Sequence, residues 1–486
     1  MNYRLIFNLL GKVLLLEAVL LVLPLITSFV YLEFNSAMAF GITVGGALGL
    51  GLLLTFLVKP KKHQHMYAKE GLIITALAWV AVSLVGSLPF VISREIPSFL
   101  DALFEIVSGF TTTGASVLSD VESLSHGMLF WRSFSHWIGG MGVLVFVLVF
   151  VNRNDRSMHI LRAEMPGPTV DKLVPKAKNT AFILYGIYIV LTLSLAIMLV
   201  CGDMNFFEAL LHAFGTAGTG GFGIKNSSIA DYSSYSQWVI AIFMLLFGVN
   251  FNLYFLLILR KFSNVFRNTE LWVYICVVVA SVTVITLNIY KQCESVAEAV
   301  KHSTFQIASI MSTTGYSTAD FNQWPALSKG ILFTLMFTGG CAGSTSGGFK
   351  LTRVIILFKK IGNDLKKALH PRTATVVKIN GEKISEETTS GVTSYLAIYV
   401  LIFFAVFIIL SIDPRVPAEG ALETNFSAAA SAFNNIGPGF SAVGPTCNFG
   451  FYSPVSKIVL IFAMLLGRLE IYPILASLSP TTWFKR

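Results

Sequence analysis

The sequence is poor in charge. Asp, Glu, Lys and Arg make up 13% of its 486 residues, against about 25% in a soluble domain. With 54% hydrophobic residues and a mean hydropathy of +0.71, that shortage excludes a cytosolic enzyme. Acidic residues are fewer than basic ones, 26 against 35, for a net charge of +9. The excess does not read as nucleic-acid binding, because the basic residues sit between apolar runs, where they report membrane orientation. Cysteine is also sparse. Cys201, Cys276, Cys293, Cys341 and Cys447 are scattered, with neither a disulfide framework nor a CxxC or Cys/His cluster for a metal. The histidines are equally dispersed and no HExxH occurs, so nothing supports an integral-membrane enzyme. The alternating segments of a β-barrel, about 10 residues each, are missing, and no connection leaves room for an appended soluble domain.

Long apolar runs are what the chain does have. A spanning helix needs about 20 apolar residues, and ten candidates emerge: 11–32, 37–58, 71–93, 129–151, 180–201, 236–259, 271–290, 330–358, 391–411 and 455–478. The first run follows Arg4 and Lys12 and so imitates a signal peptide. It lacks a small-x-small cleavage site and reads as a retained helix. Lys59, Lys61, Lys62 and Lys69 fall on one side of the membrane, with Arg153, Arg156, Arg162, Lys172, Lys176 and Lys178. So do Arg260, Lys261 and Arg267, and the cluster from Lys359 to Lys383. The positive-inside rule makes that side cytoplasmic and puts both termini there. The expected fold is an all-α integral membrane protein.

The connections on the outer side are long, and each holds an apolar stretch too short to cross. The pattern of span, short helix, Gly-rich turn and span therefore occurs four times. Each short stretch leads into a Gly-centred pentapeptide: Thr112-Thr113-Gly114-Ala115-Ser116, Thr219-Gly220-Gly221-Phe222-Gly223, Thr313-Thr314-Gly315-Tyr316-Ser317 and Asn435-Ile436-Gly437-Pro438-Gly439. A small residue, Ser108, Gly215, Ser309 or Ser431, precedes each central glycine at the same offset. Two N-terminal helices (1–68) then precede repeats at 69–165, 166–265, 266–385 and 386–486. One TTG is an ordinary loop turn; four in one topological place are an internal repeat.

Irregular backbone at membrane depth is tolerated where it is buried in protein or lines an aqueous cavity. Four such segments around an axis would make a ring of carbonyl oxygens that replaces a cation's hydration shell, with short-helix C-termini aimed at it. Uncharged oxygens suit a large monovalent ion such as K+; a carboxylate ring would suggest Ca2+ or Mg2+. The expected filter is Thr112, Thr113 and Gly114; Thr219, Gly220 and Gly221; Thr313, Thr314 and Gly315; and Asn435, Ile436 and Gly437. K+ is expected at the first two residues of each set. The sets differ, so this filter should select less stringently than four identical ones.

At these residues, at Gly339-Gly340-Cys341-Ala342-Gly343-Ser344-Thr345-Ser346-Gly347-Gly348 and at Gly467-Arg468-Leu469-Glu470, the chain resembles the TrkH/KtrB family of bacterial K+ uptake proteins. The resemblance covers nearly the whole chain, and the two extra N-terminal helices make it TrkH-like. It implies four membrane–pore-loop–membrane repeats around a central ion pore in the bacterial inner membrane. It also implies a homodimer docked on a cytosolic, TrkA-like nucleotide-binding ring, with no cofactor on this chain. Gly339, Gly340, Gly343, Gly347 and Gly348 break the eighth span, since such a run makes a poor helix. The loop 339–350 reads as an intramembrane gate rather than a plain linker. The resemblance places Arg468 below the filter, where its charge would slow K+. A local pair with Glu470 is disfavoured because i and i+2 do not face each other on a helix.

Arg132 reads as a snorkelling residue. Lys350 and Arg353 either anchor the inner end of the loop or mark the interface. The basic segment 359–390 contains an Asn380-Gly381 hairpin signal and is either solvated or a docking surface for the ring. The alternative to a gated pore is a K+ symporter coupled to H+ or Na+. No path of intramembrane carboxylates favours it, although Glu105, Glu208 and His136 lie near membrane depth.

Overall fold

The computed structural model describes residues 2–58, 68–142, 177–373 and 375–483. The basic stretches around Lys59 to Lys62 and Arg153 to Lys176, the boundary between the first two expected repeats, and Lys485 and Arg486 lie outside the described residues. Among the described residues, six helices are long and apolar enough to cross a membrane: Tyr3–Val30, Phe34–Leu57, Lys69–Ser93, Ala181–Val200, Thr269–Gln292 and Glu386–Ser411. Their outward faces carry exposed apolar side chains such as Phe56, Val190, Leu287 and Leu401. Lipid rather than water is the matching solvent for that surface. The chain is a helical multi-pass membrane protein.

The other four expected spans are not continuous helices. His126–Gly140 stops at Met141. Ser234–Phe247 and Phe251–Ile258 meet at a 91° bend. Ala326–Met336 and Leu351–Leu369 are separated by an irregular loop. Pro454–Arg468 breaks before Tyr472–Leu478, with Glu470 and Ile471 at φ 56° and 66°. Only the third of these breaks was expected.

Between each crossing helix and its broken partner lies a short helix: Phe99–Phe110, Phe206–Gly218, Val296–Met311 and Ala421–Asn434. The first three are N-capped by Ser98, Asn205 and Ser295, whose side chains accept the N–H groups of Asp101, Glu208 and Glu298. Such caps satisfy donors that a helix leaves orphaned.

One clamp recurs where the chain enters the short helices. Glu95 accepts from the N–H and hydroxyl of Ser125 at 2.9 and 2.8 Å. Asp203 accepts from the same two groups of Ser233 at 2.8 and 2.6 Å. Asp413 accepts from the Ser453 N–H at 2.7 Å and the Ser456 hydroxyl at 2.6 Å. Asn288 takes this part for Ser328 at 2.7 Å. The first three clamps tie the connection that enters a short helix to the start of the broken helix that follows it, and Asn288 does so from the last turn of its crossing helix.

The expected hairpin forms as a two-stranded ladder pairing Lys378 with Lys383. Asn380 and Gly381 both have positive φ, as a two-residue hairpin turn requires. The segment before it is less loop-like than its composition suggests, because the helix from Leu351 continues to Leu369.

Candidate functional site

All four short helices end in one backbone motif. The N–H of Thr113 reaches back to the Ser108 carbonyl at 2.9 Å, Gly220 to Gly215 at 2.9 Å, Thr314 to Ser309 at 2.8 Å and Ile436 to Ser431 at 3.0 Å. The residue before each donor is left-handed: Thr112, Thr219, Thr313 and Asn435 have φ of 55°, 55°, 57° and 54°. The conformation is rare for a β-branched residue and costs about 1–2 kcal/mol. Two residues later φ is positive again, at Gly114, Gly221, Gly315 and Gly437. The four pentapeptides, unlike in sequence, share one backbone path.

The paths meet in a closed cycle. A Cβ on Gly114 would lie 1.9 Å from the Gly220 carbonyl oxygen. One on Gly221 would lie 1.9 Å from Thr314 O, and one on Gly315 would lie 2.1 Å from Ile436 O. One on Gly437 would lie 2.8 Å from Thr113 O and close the ring. Glycine is therefore required twice over, by its φ and by the carbonyl pressed against it. Asn435 ties the fourth segment to the first, its Nδ2 donating to Thr113 Oγ1 and to Met464 O, each at 2.9 Å. All four glycines line one 150 Å3 cavity against the ring. Thr112 Oγ1 and Asn435 Oδ1 are buried without a hydrogen-bond partner among the described residues. Native structures rarely leave such atoms unmatched.

Charge and polar groups behind the ring hold it in shape. Arg132 does not snorkel. It is 2% exposed and forms an ion pair of 2.6 Å with Glu105, itself fully buried on the first short helix. Its guanidinium also lies 4.1 Å over the Phe222 ring. Glu105 accepts in addition from Ser116 Oγ at 3.0 Å and the Val117 N–H at 3.1 Å. One carboxylate thus pins the strand leaving Gly114, and its arginine leans on the strand leaving Gly221. His136 receives the Phe222 N–H on Nε2 at 3.3 Å, so Nδ1 carries the proton and donates to Gly109 O at 2.9 Å. Only the neutral imidazole makes both bonds.

Below the ring, the breaks in the four second helices converge. The Cys341 N–H donates to Gly248 O at 2.9 Å and the Phe251 N–H to Gly343 O at 3.0 Å, joining the second break to the third. Arg468 donates to Thr345 O at 2.9 Å and to Gly140 O at 2.8 Å, and also bonds Gly139 O. It thereby joins the fourth break to the third and the first. These acceptors include C-terminal carbonyls of His126–Gly140, where a helix dipole favours a cation. Gly347 touches the ring itself, its N–H donating to Thr313 Oγ1 at 2.7 Å. Gly339, Gly343, Gly348 and Lys350 all have positive φ, so this loop is an irregular but packed segment. Gly340 sits against Ser346 and Gly248 O.

Glu470 pairs with Arg353, not with Arg468. Lys350 and Arg353 are buried, the first bonding Ser346 O and the second Phe349 O at 3.1 Å. Both anchor the inner end of the loop rather than mark a solvated interface. Sequence reasoning missed the Glu105–Arg132 pair, the polar role of His136 and three of the four helix breaks. Gly139-Gly140, Gly248 and Gly467 were the available signal for those breaks.

The model of the TrkH family, described as "Cation transport protein", matches residues 38–482. The Trk system potassium uptake protein TrkH of Salmonella typhimurium is 34% identical over 99% of this chain and 100% of its own. The corresponding protein of Escherichia coli K12 shows the same values, and the Trk system protein TrkG of that strain is 31% identical over 99% of both chains. The crystal structure of the potassium transporter TrkH from Vibrio parahaemolyticus superposes with a TM-score of 0.87 at 30% identity, covering the whole of both chains.

Proposed function

The chain belongs to the TrkH family of cation transport proteins, and on that premise we propose that it takes up K+ through a pore whose selective element is the four-glycine ring. It is a potassium transporter and not an enzyme. The observation that carries the pore reading is the cyclic packing of Gly114, Gly221, Gly315 and Gly437 on the carbonyls of Gly220, Thr314, Ile436 and Thr113. It brings those four carbonyls from four segments into one ring. Such oxygens can take the place of hydration water around an alkali ion. The residues fit K+ as substrate on a second count, since the unmatched Thr112 Oγ1 and Asn435 Oδ1 are neutral oxygens of the same kind.

In this reading the loop 339–350 and Arg468 form the gate. Gly347 abuts Thr313, and the Arg468 guanidinium rivets three helix breaks together at the level an ion must pass. Moving the helix Leu351–Leu369 would draw the loop away from the ring. The basic residues of that helix and the hairpin after it offer a docking face for a cytosolic, nucleotide-binding regulatory ring. We place this chain in the bacterial inner membrane as a homodimer with both termini cytoplasmic, on the charge asymmetry of its loops and its family.

One observation favours the coupled alternative. Glu17, 3% exposed in the helix Tyr3–Leu20, has no partner for either carboxylate oxygen among the described residues. An intramembrane acid of that kind is a proton-carrier candidate. It lies among apolar side chains, Val82, Phe110 and Trp131 included, which sets it apart from the ring. The deciding experiment is Rb+ uptake into proteoliposomes under an imposed potential, with and without a pH gradient. Uptake driven by potential alone supports the pore. Uptake that requires the proton gradient and is lost in Glu17→Gln supports symport.

A further inference from the structure

A groove of about 700 Å3 lies outside the ring, between Val22–Val30, His126–Gly140 and Phe206–Gly218. Its body is apolar, with Ile26, Val30, Phe130 and Leu210 among its walls. Ile26 and Val30 are 52% and 71% exposed, so the groove opens toward the acyl chains of a bilayer. Its mouth is charged and sits at the end of the spans that the loop charges place outside. Glu122, His126, Glu208 and Lys225 stand there.

Their existing contacts define what the mouth can still bind. His126 is committed, stacked on Tyr31 at 3.8 Å and paired with Glu33 at 2.8 Å. Glu122 accepts the Asn226 N–H on Oε1, and Glu208 accepts the Asn205 N–H on Oε2. Each carboxylate can take a further donor on its other oxygen. Lys225 Nζ lies 4.1 Å over the Tyr232 ring, a contact that leaves its N–H donors for an oxyanion. The mouth therefore presents one ammonium donor beside two carboxylates.

We infer that this groove binds a zwitterionic aminophospholipid of the outer leaflet, with an acyl chain in the trough, the phosphate on Lys225 and the headgroup ammonium on Glu122 and Glu208. An anionic headgroup without an amine would bring its charge to two carboxylates for one lysine, and like-charge juxtaposition penalises the wrong partner. The site also touches the transport path. Lys225 lines both the groove and the 150 Å3 cavity above the glycine ring. A phosphate on Lys225 would neutralise a fixed positive charge where a cation enters. Binding stands without the pore reading; the effect on flux rests on it.

The test is native mass spectrometry of the delipidated full-length protein, titrated with phosphatidylethanolamine or phosphatidylglycerol of the same acyl chains. Phosphatidylethanolamine should be retained about tenfold better, a difference of about 1.4 kcal/mol. Leu210→Trp and, separately, Ile26→Trp should fill the trough and remove that excess, and Lys225→Gln should reduce it severalfold. Equal retention of the two lipids overturns the headgroup assignment. Retention unchanged in Ile26→Trp and Lys225→Gln overturns the site, even if Leu210→Trp fails to fold. In proteoliposomes, Rb+ uptake should be faster with phosphatidylethanolamine, and Lys225→Gln should lose that dependence. Selective binding with lipid-independent flux would leave the lipid site standing and overturn its link to the ion path.

Discussion

Gly221 carries two constraints that no other residue type meets together. Its φ is 76°, and the space where a Cβ would project holds the Thr314 carbonyl oxygen. Gly223, two residues on, would meet Lys225 O at 3.4 Å, an ordinary contact. Gly221→Ala should therefore lower the K+ over Na+ uptake ratio at least about tenfold, a change of about 1.4 kcal/mol, while Gly223→Ala leaves it unchanged. Parallel uptake assays with the two ions check the pair. Equal ratios in both variants would remove Gly221 from the selective element.

Arg132 makes the second residue-scale case. Breaking a buried pair strands its partner charge, a loss of about 3–5 kcal/mol. Glu105→Gln should lower the thermal midpoint sharply. Adding Arg132→Met should recover part of that loss, because no stranded cation remains. A double variant no more stable than Glu105→Gln would contradict this role for the pair. The partnership was not legible in the sequence. The two residues are 27 apart on different helices, and an arginine near the end of an apolar run looks the same whether it snorkels or pairs. The four ring glycines were legible because the demand for positive φ recurs at one offset in four places.

At the scale of elements, the broken second helices show where apolar runs mislead. The stretches 236–259 and 455–478 read as uninterrupted spans because a single glycine is tolerated in a helical pattern, and 129–151 because Gly139, Gly140 and Gly142 lie inside an otherwise apolar run. The breaks are held by tertiary bonds: the Cys341 N–H bonds Gly248 O, and the Arg468 side chain bonds Gly140 O and Thr345 O. The five glycines at 339–348 were legible because their number alone defeats a helix. Arg468 binds this layer together through carbonyls of two other segments. Arg468→Ala should raise Rb+ uptake severalfold at equal expression, and Arg468→Lys should fall between, since an ammonium lacks the planar fork that reaches several acceptors. Uptake in Arg468→Ala that matches the parent would take the arginine out of the gate.

At the scale of the whole molecule, the carboxylate clamps couple stability to pH. Burial works against the charge of Asp203, but the Ser233 N–H and hydroxyl and the Ser236 hydroxyl outweigh it and hold the carboxyl at about 2. At Asp413 burial again opposes the charge, and bonds from Ser456 and Ser453 outweigh it to the same value. Both lie below the ordinary 3.8. A carboxyl depressed in the folded state stabilises fully above its unfolded pKa and loses that contribution as pH falls toward the folded one. The thermal midpoint should hold down to about pH 4 and decline below it. The double variant Asp203→Asn, Asp413→Asn should start lower at neutral pH and decline less. An identical acid limb in both proteins would assign the loss to other groups.

In the proposed pore, four backbone carbonyls from four separate segments hold the transported ion. The most direct measurement is anomalous diffraction from crystals of the protein soaked in Tl+ or Rb+. An anomalous peak is expected on the axis of the ring, within coordinating distance of the carbonyl oxygens of Thr113, Gly220, Thr314 and Ile436, and its loss is expected in Gly221→Ala. A transport-competent protein whose only anomalous peaks lie away from those oxygens would contradict it.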